Sequence, residues 1–254
     1  MVQNPNFIPG VYNYCDRWCE RCPLTSRCAN FAFGKQHFSS LEDRDIDNAR
    51  FWQELHEVFQ LTLEMVMETA EELGIDLTDL DLEASAEKEM QLKEAAHKHE
   101  CVRAAKKYSK MVTEWFDLRK SLFDQKEDDL NLQVDLDLPG TNPFAEAARL
   151  KDAVEVIRWY QHQIYVKLMR AIKGELEETP EILKEYPKDS DGSAKVALIG
   201  LDRSIAAWGA VRSHFPNEED SIFELLIGLG RLRSKVKEVF PNARFFIRSG
   251  FDDM

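Results

Sequence analysis

Four cysteines lie close together near the start of the chain, and their spacing is the strongest chemical signal in the sequence. They are Cys15, Cys19, Cys22 and Cys28, in the pattern C-x3-C-x2-C-x5-C. Thiolates this close in sequence converge only if the chain winds tightly around a small object, and metal ions and clusters are what converging thiolates bind. The spacing therefore predicts a four-cysteine metal site.

The arrangement favours an iron–sulfur cluster over zinc. Structural zinc sites commonly arise from two C-x2-C hairpins separated by a longer loop. A four-iron cubane is bulkier and accepts four thiolates from one winding loop, often with a proline beside a ligand, as Pro23 follows Cys22 here. We expect a 4Fe-4S cluster as the cofactor, with zinc as the alternative and a metal-free or disulfide role as a third possibility.

Part of this segment resembles a known ligand pattern. The run from Cys19 to Cys28 is similar to the C-x2-C-x5-C half-site by which several unrelated iron–sulfur proteins hold a four-iron cluster, and it identifies no family. The first three cysteines match the C-x3-C-x2-C spacing of radical S-adenosylmethionine enzymes, which leave the fourth iron open and use a strand-rich barrel. We reject that second resemblance because a fourth cysteine is at hand and the chain has a helical pattern.

Arginines alternate with the cysteines in this segment. Arg17, Arg21 and Arg27 are positioned in sequence to stabilise an anionic cluster by charge and by N–H to sulfur bonds, unless they pair with neighbouring acidic side chains or are solvated. Trp18 and Tyr14 are expected to cover the cluster, although packing onto the rest of the protein explains them equally well.

A second candidate site is the pair Glu94 and His97, which lies in an apolar helical seam. Carboxylate-bridged two-metal bundles use this E-x-x-H spacing to place a carboxylate and an imidazole on one pair of iron or manganese ions. Such proteins usually contain two E-x-x-H motifs, whereas this sequence shows one, and a long charged helix produces the motif by chance. Ligands from facing helices would have to come from Glu54, Glu155, His162 and Asp202.

The remaining histidines and the fifth cysteine are weaker candidates for functional residues. Cys101 fits a small buried residue better than a nucleophile. His37, His56 and His214 are interpreted as isolated surface or boundary residues. We find no defensible serine triad, Cys/His pair or Gly-rich phosphate loop.

Long helices must position these groups. Apolar residues recur at three- and four-residue steps, and Gly and Pro gather between the periodic stretches. This predicts an all-α protein: an antiparallel bundle of about five long helices over 39–254, with a cysteine-rich metal-binding loop over 1–38. The expected helices are 41–73, 84–125, 143–176, 192–215 and 219–240, and a lone extended strand is an option for Leu130 to Leu138.

Composition limits the partners. The formal charge of −13 repels phosphate backbones and anionic lipid, so nucleic acid and membrane are not expected partners, whereas a protein redox partner is. Met1 to Gly10 do not resemble a secretion signal, and no run approaches the roughly 18 apolar residues of a membrane span. We expect a cytoplasmic protein, where clustered cysteines indicate metal or redox chemistry. Oligomeric state is left open.

Three functions remain at this stage. The first is an iron–sulfur protein acting in electron transfer or redox sensing. The second is a metal-dependent oxidoreductase in which a carboxylate/histidine dimetal centre activates oxygen or peroxide and the cysteine cluster feeds it electrons, so whether the protein is an enzyme stays open. The third is a zinc-stapled protein-interaction module.

Overall fold

The computed structural model describes residues 4–77, 81–137, 139–179 and 188–253. Within these ranges the protein is all-helical, with short 3₁₀ turns and no β-strand. The α-helices of the described residues are α1 Ala29–His37, α2 Ala49–Glu72, α3 Leu82–Lys98, α4 Glu100–Leu118, α5 Lys120–Asp135, α6 Pro143–Glu177, α7 Asp189–His214 and α8 Glu219–Val239.

The expected second helix is three helices. The chain leaves helical geometry at His99, whose Nδ1 accepts the Cys101 amide at 3.2 Å and caps α4, and again at Arg119, where φ is −125°. The prediction of an extended strand is wrong, because Leu130 to Asp135 belong to helix α5. Leu138 lies outside the described residues.

Several helix starts follow from side chains that accept the first free amides. Asn48 accepts from Arg50 N at the start of α2, and Asn142 accepts from Ala145 N at the start of α6, where Pro143 is the first residue. Ahead of α2, Ser40 and Asp43 form a reciprocal pair of bonds: the Ser40 hydroxyl accepts the Asp43 amide, and the Asp43 carboxylate accepts the Ser40 amide at 2.8 Å. This box closes a 3₁₀ turn, and α2 itself begins at Ala49.

The chain divides into two compact units. Unit 1 comprises Met1–Met90 with Arg248–Met254, and unit 2 comprises Gln91–Ile247. Unit 1 therefore contains the cysteine segment together with α1 and α2.

Unit 2 is built on four helices that contact one another in a ring, α4 to α6, α6 to α7, α7 to α8 and α8 to α4. Side-chain contacts show that neighbours run antiparallel. Arg170 near the end of α6 bonds Asp189 at the start of α7, and Lys235 near the end of α8 bonds Glu100 at the start of α4 at 2.9 Å. The antiparallel arrangement thus involves four helices, with α5 packed on α6.

Apolar residues at three- and four-residue steps form the core of this unit. On α8 the buried ones are Ile222, Leu225, Leu229, Leu232 and Val236. On α7 Trp208 is fully buried and donates its Nε1–H to the Tyr108 hydroxyl at 3.0 Å. α6 is central, since it contacts α4, α5 and α7. Gln161 of α6 is buried and bonds across to Ser109 O and Thr113 Oγ1.

Unit 1 buries much less apolar surface. Its buried hydrophobic residues, within the described part, are Val11, Leu24 and Ala70. Much of α2 is exposed, including Phe59 and Leu63. Across the described residues, we find no helix whose length and apolarity suffice to span a membrane.

Candidate metal centre

Successive tight turns place the four cysteines. Cys19 opens a 3₁₀ turn that ends at Arg21, and Cys22 follows it, with its amide bonded to Cys19 O at 3.2 Å. A second 3₁₀ turn, Thr25–Arg27, leads directly to Cys28, which is the N-cap of α1. The spacing of the cysteines therefore corresponds to one ligand at each turn of a winding loop.

The turn between Cys15 and Cys19 uses an uncommon backbone conformation. Arg17 has φ of +60°, in the left-handed region that a side chain with a Cβ rarely adopts. The Asp16 carboxylate supports it by accepting the Trp18 amide at 3.2 Å, and Cys19 N bonds Arg17 O at 3.0 Å. Strain of this kind persists where surrounding contacts hold it, and it is concentrated at functional sites.

The four cysteines line one cavity within unit 1. Apolar side chains form much of the rest of its wall, among them Val11 and Leu24, which are 3% and 5% exposed, together with Phe31 and Phe251. Of the two aromatic residues expected here, Trp18 lines the cavity and Tyr14 does not, whereas Tyr12 does. All four thiols are free and half-buried.

Two of the sulfurs accept backbone N–H groups. Leu24 N lies 3.4 Å from Cys22 Sγ, and Phe31 N lies 3.4 Å from Cys28 Sγ. The second bond places Cys28 at the N-terminus of α1, where unpaired amides and the helix dipole stabilise a thiolate. Amide-to-sulfur bonds of this type hold and tune the thiolate ligands of metal centres.

The thiols of this loop influence one another. Burial raises the pKa of Cys19, and the neighbouring Cys15 thiol raises it further. Burial likewise raises the pKa of Cys22, although the Leu24 amide opposes this. Four thiolates gathered here need positive charge to offset their repulsion.

The separation of the sulfurs bears on which metal fits. No three of the four lie within 4.8 Å of one another in the described structure. In a tetrahedral zinc site with Zn–S bonds of about 2.3 Å, sulfurs sit about 3.8 Å apart, so zinc would require them to move closer.

The volume of the cavity, in contrast, suits a single ion better than a cluster. It is about 20 Å³, room for one water molecule or one ion, so a cluster would displace the side chains around it.

The three arginines of the cysteine segment make different contacts. Arg17 lines the cavity, the Arg21 guanidinium lies over the Trp18 ring at 4.1 Å, and Arg27 Nε donates to Asn6 O at 3.4 Å.

The candidate metal ligands of the helices form ion pairs and hydrogen bonds with other side chains. Glu94 is exposed and pairs with Lys98, and His97 Nδ1 lies 3.2 Å from the Tyr165 hydroxyl. Glu155 pairs with Lys151.

Two further bundle candidates are similarly engaged. Asp202 accepts from Arg233 at 3.3 Å and Arg244 at 2.5 Å. His162 is exposed and bonds Ser109 Oγ at 3.0 Å. The described structure does not assemble these residues into one metal-binding group.

Glu54 is the exception among the candidates. Its carboxylate lies 3.4 Å from His37 Nδ1, and Glu57 completes a group whose ligand atoms are all within 4.8 Å of one another. His37 is 8% exposed and is therefore not the isolated boundary residue expected from the sequence. The i, i+3 spacing of Glu54 and Glu57 was visible in the sequence, but nothing local to His37 indicated that α1 would bring it to α2.

Comparison of the chain with protein-family models, with curated proteins and with solved structures finds no match.

Proposed function

We propose that the protein binds an iron–sulfur cluster, of the four-iron type, and acts in electron transfer or redox sensing. The observation that carries this proposal is that all four cysteines line one cavity, with amide bonds to the sulfurs of Cys22 and Cys28. The donor set fits the group, since four thiolates are the usual ligands of such clusters. A bound cluster supplies reversible one-electron chemistry.

The protein's own residues have definable roles in this proposal. Cys15, Cys19, Cys22 and Cys28 are the ligands, Arg17 contributes positive charge at the cavity, and Val11, Leu24 and Phe31 limit the access of water. Charge and solvent exclusion are two of the levers that set the reduction potential of a cluster. The helical scaffold carries the loop and offers a negatively charged surface.

The net charge of −13 suggests the class of partner. An acidic surface attracts a protein with a basic patch and accelerates its association at low ionic strength. We propose a basic redox partner, and a reducing compartment such as the cytoplasm, in which free thiols persist.

Metal analysis of protein purified without oxygen tests this proposal. We expect brown protein with broad absorption at about 400 nm and about four irons and four sulfides per chain, because four thiolates saturate one four-iron cluster. Protein made with ample iron that is colourless and holds one tightly bound zinc would refute the proposal.

That contrary result would support the second candidate function, a zinc-stapled interaction module. The specific observation in its favour is the cavity of about 20 Å³, which accommodates a single ion. Zinc would then serve to hold the loop against α1, without redox chemistry.

A further inference from the structure

We propose that His37, Glu54 and Glu57 form a second metal site, for a divalent ion of the class of Mn²⁺ and Fe²⁺. One ligand atom from each of these side chains lies within 4.8 Å of the other two. The ligand set does not include any cysteine of the loop, so this proposal is independent of the proposed function.

Two helices of unit 1 create the group. His37 is the last residue of α1, and Glu54 and Glu57 are one turn apart on α2. Side chains at i and i+3 share one face of a helix, so both carboxylates can address the same ion. His37 Nδ1 and Glu54 Oε2 are already 3.4 Å apart.

Burial and packing restrain the imidazole. The His37 side chain is 9% exposed, and its ring packs on Phe33 with 4.6 Å between the centroids. A ligand held in this way loses little conformational freedom when it binds an ion. Glu57 is exposed and has no ion-pair partner among the described residues, so its carboxylate is available.

The polarity of α1 supports a cation at this end. The helix runs from Cys28, its N-cap, to His37, and a helix dipole stabilises negative charge at the first end and positive charge at the second. α1 thus separates a site for thiolates from a site for a cation by nine residues, a length of about 13 Å.

The ligand set indicates the class of ion and its accessibility. One imidazole with two carboxylates offers harder donors than thiolates, which suits Mn²⁺ and Fe²⁺. Three protein ligands leave coordination positions for water or a small substrate. His37 also lines a cavity of about 330 Å³ together with Phe33, Gln36 and Leu61, which gives small molecules access to the imidazole.

Titration of the full-length protein with Mn²⁺ tests this site, because Mn²⁺ avoids thiolates and only the free ion gives a strong room-temperature EPR signal. We expect one bound Mn²⁺ per chain. Glu57→Gln should weaken binding at least about tenfold, since it removes a ligand from an exposed position and leaves the fold intact. His37→Ala should weaken it similarly.

Glu68→Gln is the matched control, because it removes the same charge from an exposed position of the same helix. It should leave the affinity unchanged, and so should Cys22→Ser, which separates this site from the cysteine loop. The proposal is overturned if the wild-type protein shows no saturable binding, or if Glu68→Gln weakens binding as much as Glu57→Gln does.

Discussion

At the scale of single residues, the hydrogen bonds of the cysteine loop depend on the size of the sulfur atom. Cys22 and Cys28 each accept a backbone amide at 3.4 Å, a distance suited to sulfur and too long for a strong bond to oxygen. The Cβ–O bond of a serine is shorter than the Cβ–S bond of a cysteine, so a serine oxygen at either position would lie farther from that amide. Ligation should therefore depend on the element and not only on the shape of the side chain.

We predict that Cys22→Ser removes the metal of the loop while most helical circular dichroism remains, because the core of unit 2 contains no residue of that loop. Iron, sulfide and zinc content, measured with far-ultraviolet dichroism, checks this. Collapse of the dichroism would instead make the metal structural to the whole fold.

Cys101→Ala is the matched control for this variant. Cys101 is fully buried in unit 2, and burial raises the pKa of its thiol to about 11, so it remains a neutral thiol at pH 7. The control should keep its full metal content and should lose stability only through the volume of one sulfur atom.

The sequence indicated the four-cysteine group but not the group of His37, Glu54 and Glu57, and the reason is physical. The four cysteines are neighbours along the chain, so local turns are enough to gather them. His37 and Glu57 are brought together by the packing of α1 against α2, which no local spacing encodes. Glu94 and His97 had a suggestive spacing, yet in the structure Glu94 pairs with Lys98 and His97 lies beside the Tyr165 hydroxyl.

At the scale of helices, α6 and α7 approach closely at Gly200. A methyl group at this position would lie 2.8 Å from Tyr160 Cδ1 and 3.2 Å from Ile164 Cγ1. Tyr160 is 1% exposed and its hydroxyl accepts from Arg203, so its ring has little room to move away. The missing side chain at Gly200 is therefore what allows the two helices to pack at this distance.

We predict that Gly200→Ala destabilises the protein by about 0.5–2 kcal/mol in urea denaturation. The overpacking cost of about 1–3 kcal/mol exceeds the gain in helix propensity of about 0.5–1 kcal/mol. Gly209→Ala on the same helix is the control, since a methyl group there meets no atom within 4 Å. It should stabilise by about 0.5–1 kcal/mol, and equal effects of the two substitutions would contradict this account of the packing.

Helix positions were predictable from sequence where apolar periodicity coincided with a cap or a breaker. Pro143 and Pro216 flank real helix ends, so α6, α7 and α8 lie close to their predicted bounds. The breaks at His99 and Arg119 contain neither Gly nor Pro, and the apolar seam continues across them. Periodicity alone therefore predicted one long helix there.

At the scale of the whole molecule, apolar burial is uneven. Unit 2 has a continuous core of aromatic and aliphatic side chains, whereas the described part of unit 1 buries Val11, Leu24 and Ala70. Burial of a Val or Leu side chain contributes about 1.5–3 kcal/mol, and ordering a backbone costs about 1–2 kcal/mol per residue. These few side chains contribute little toward the ordering of the cysteine loop, so we expect the proposed metal–thiolate bonds to supply much of its stability.

We predict that metal removal affects the two units differently. When the metal of the cysteine loop is removed by an anaerobic chelator, amide hydrogen exchange should accelerate over 15–28 and in α1, since the ligands that hold these turns are released. Amides of α6 and α7 should keep their protection, because these helices belong to unit 2, which has its own buried core. Exchange measured by mass spectrometry with and without metal checks this, and restoration of iron and sulfide should restore the protection of the loop. Equal acceleration in α7 would mean that the core of unit 2 depends on the metal, whereas unchanged exchange over 15–28 would mean that the loop is ordered by its protein contacts alone.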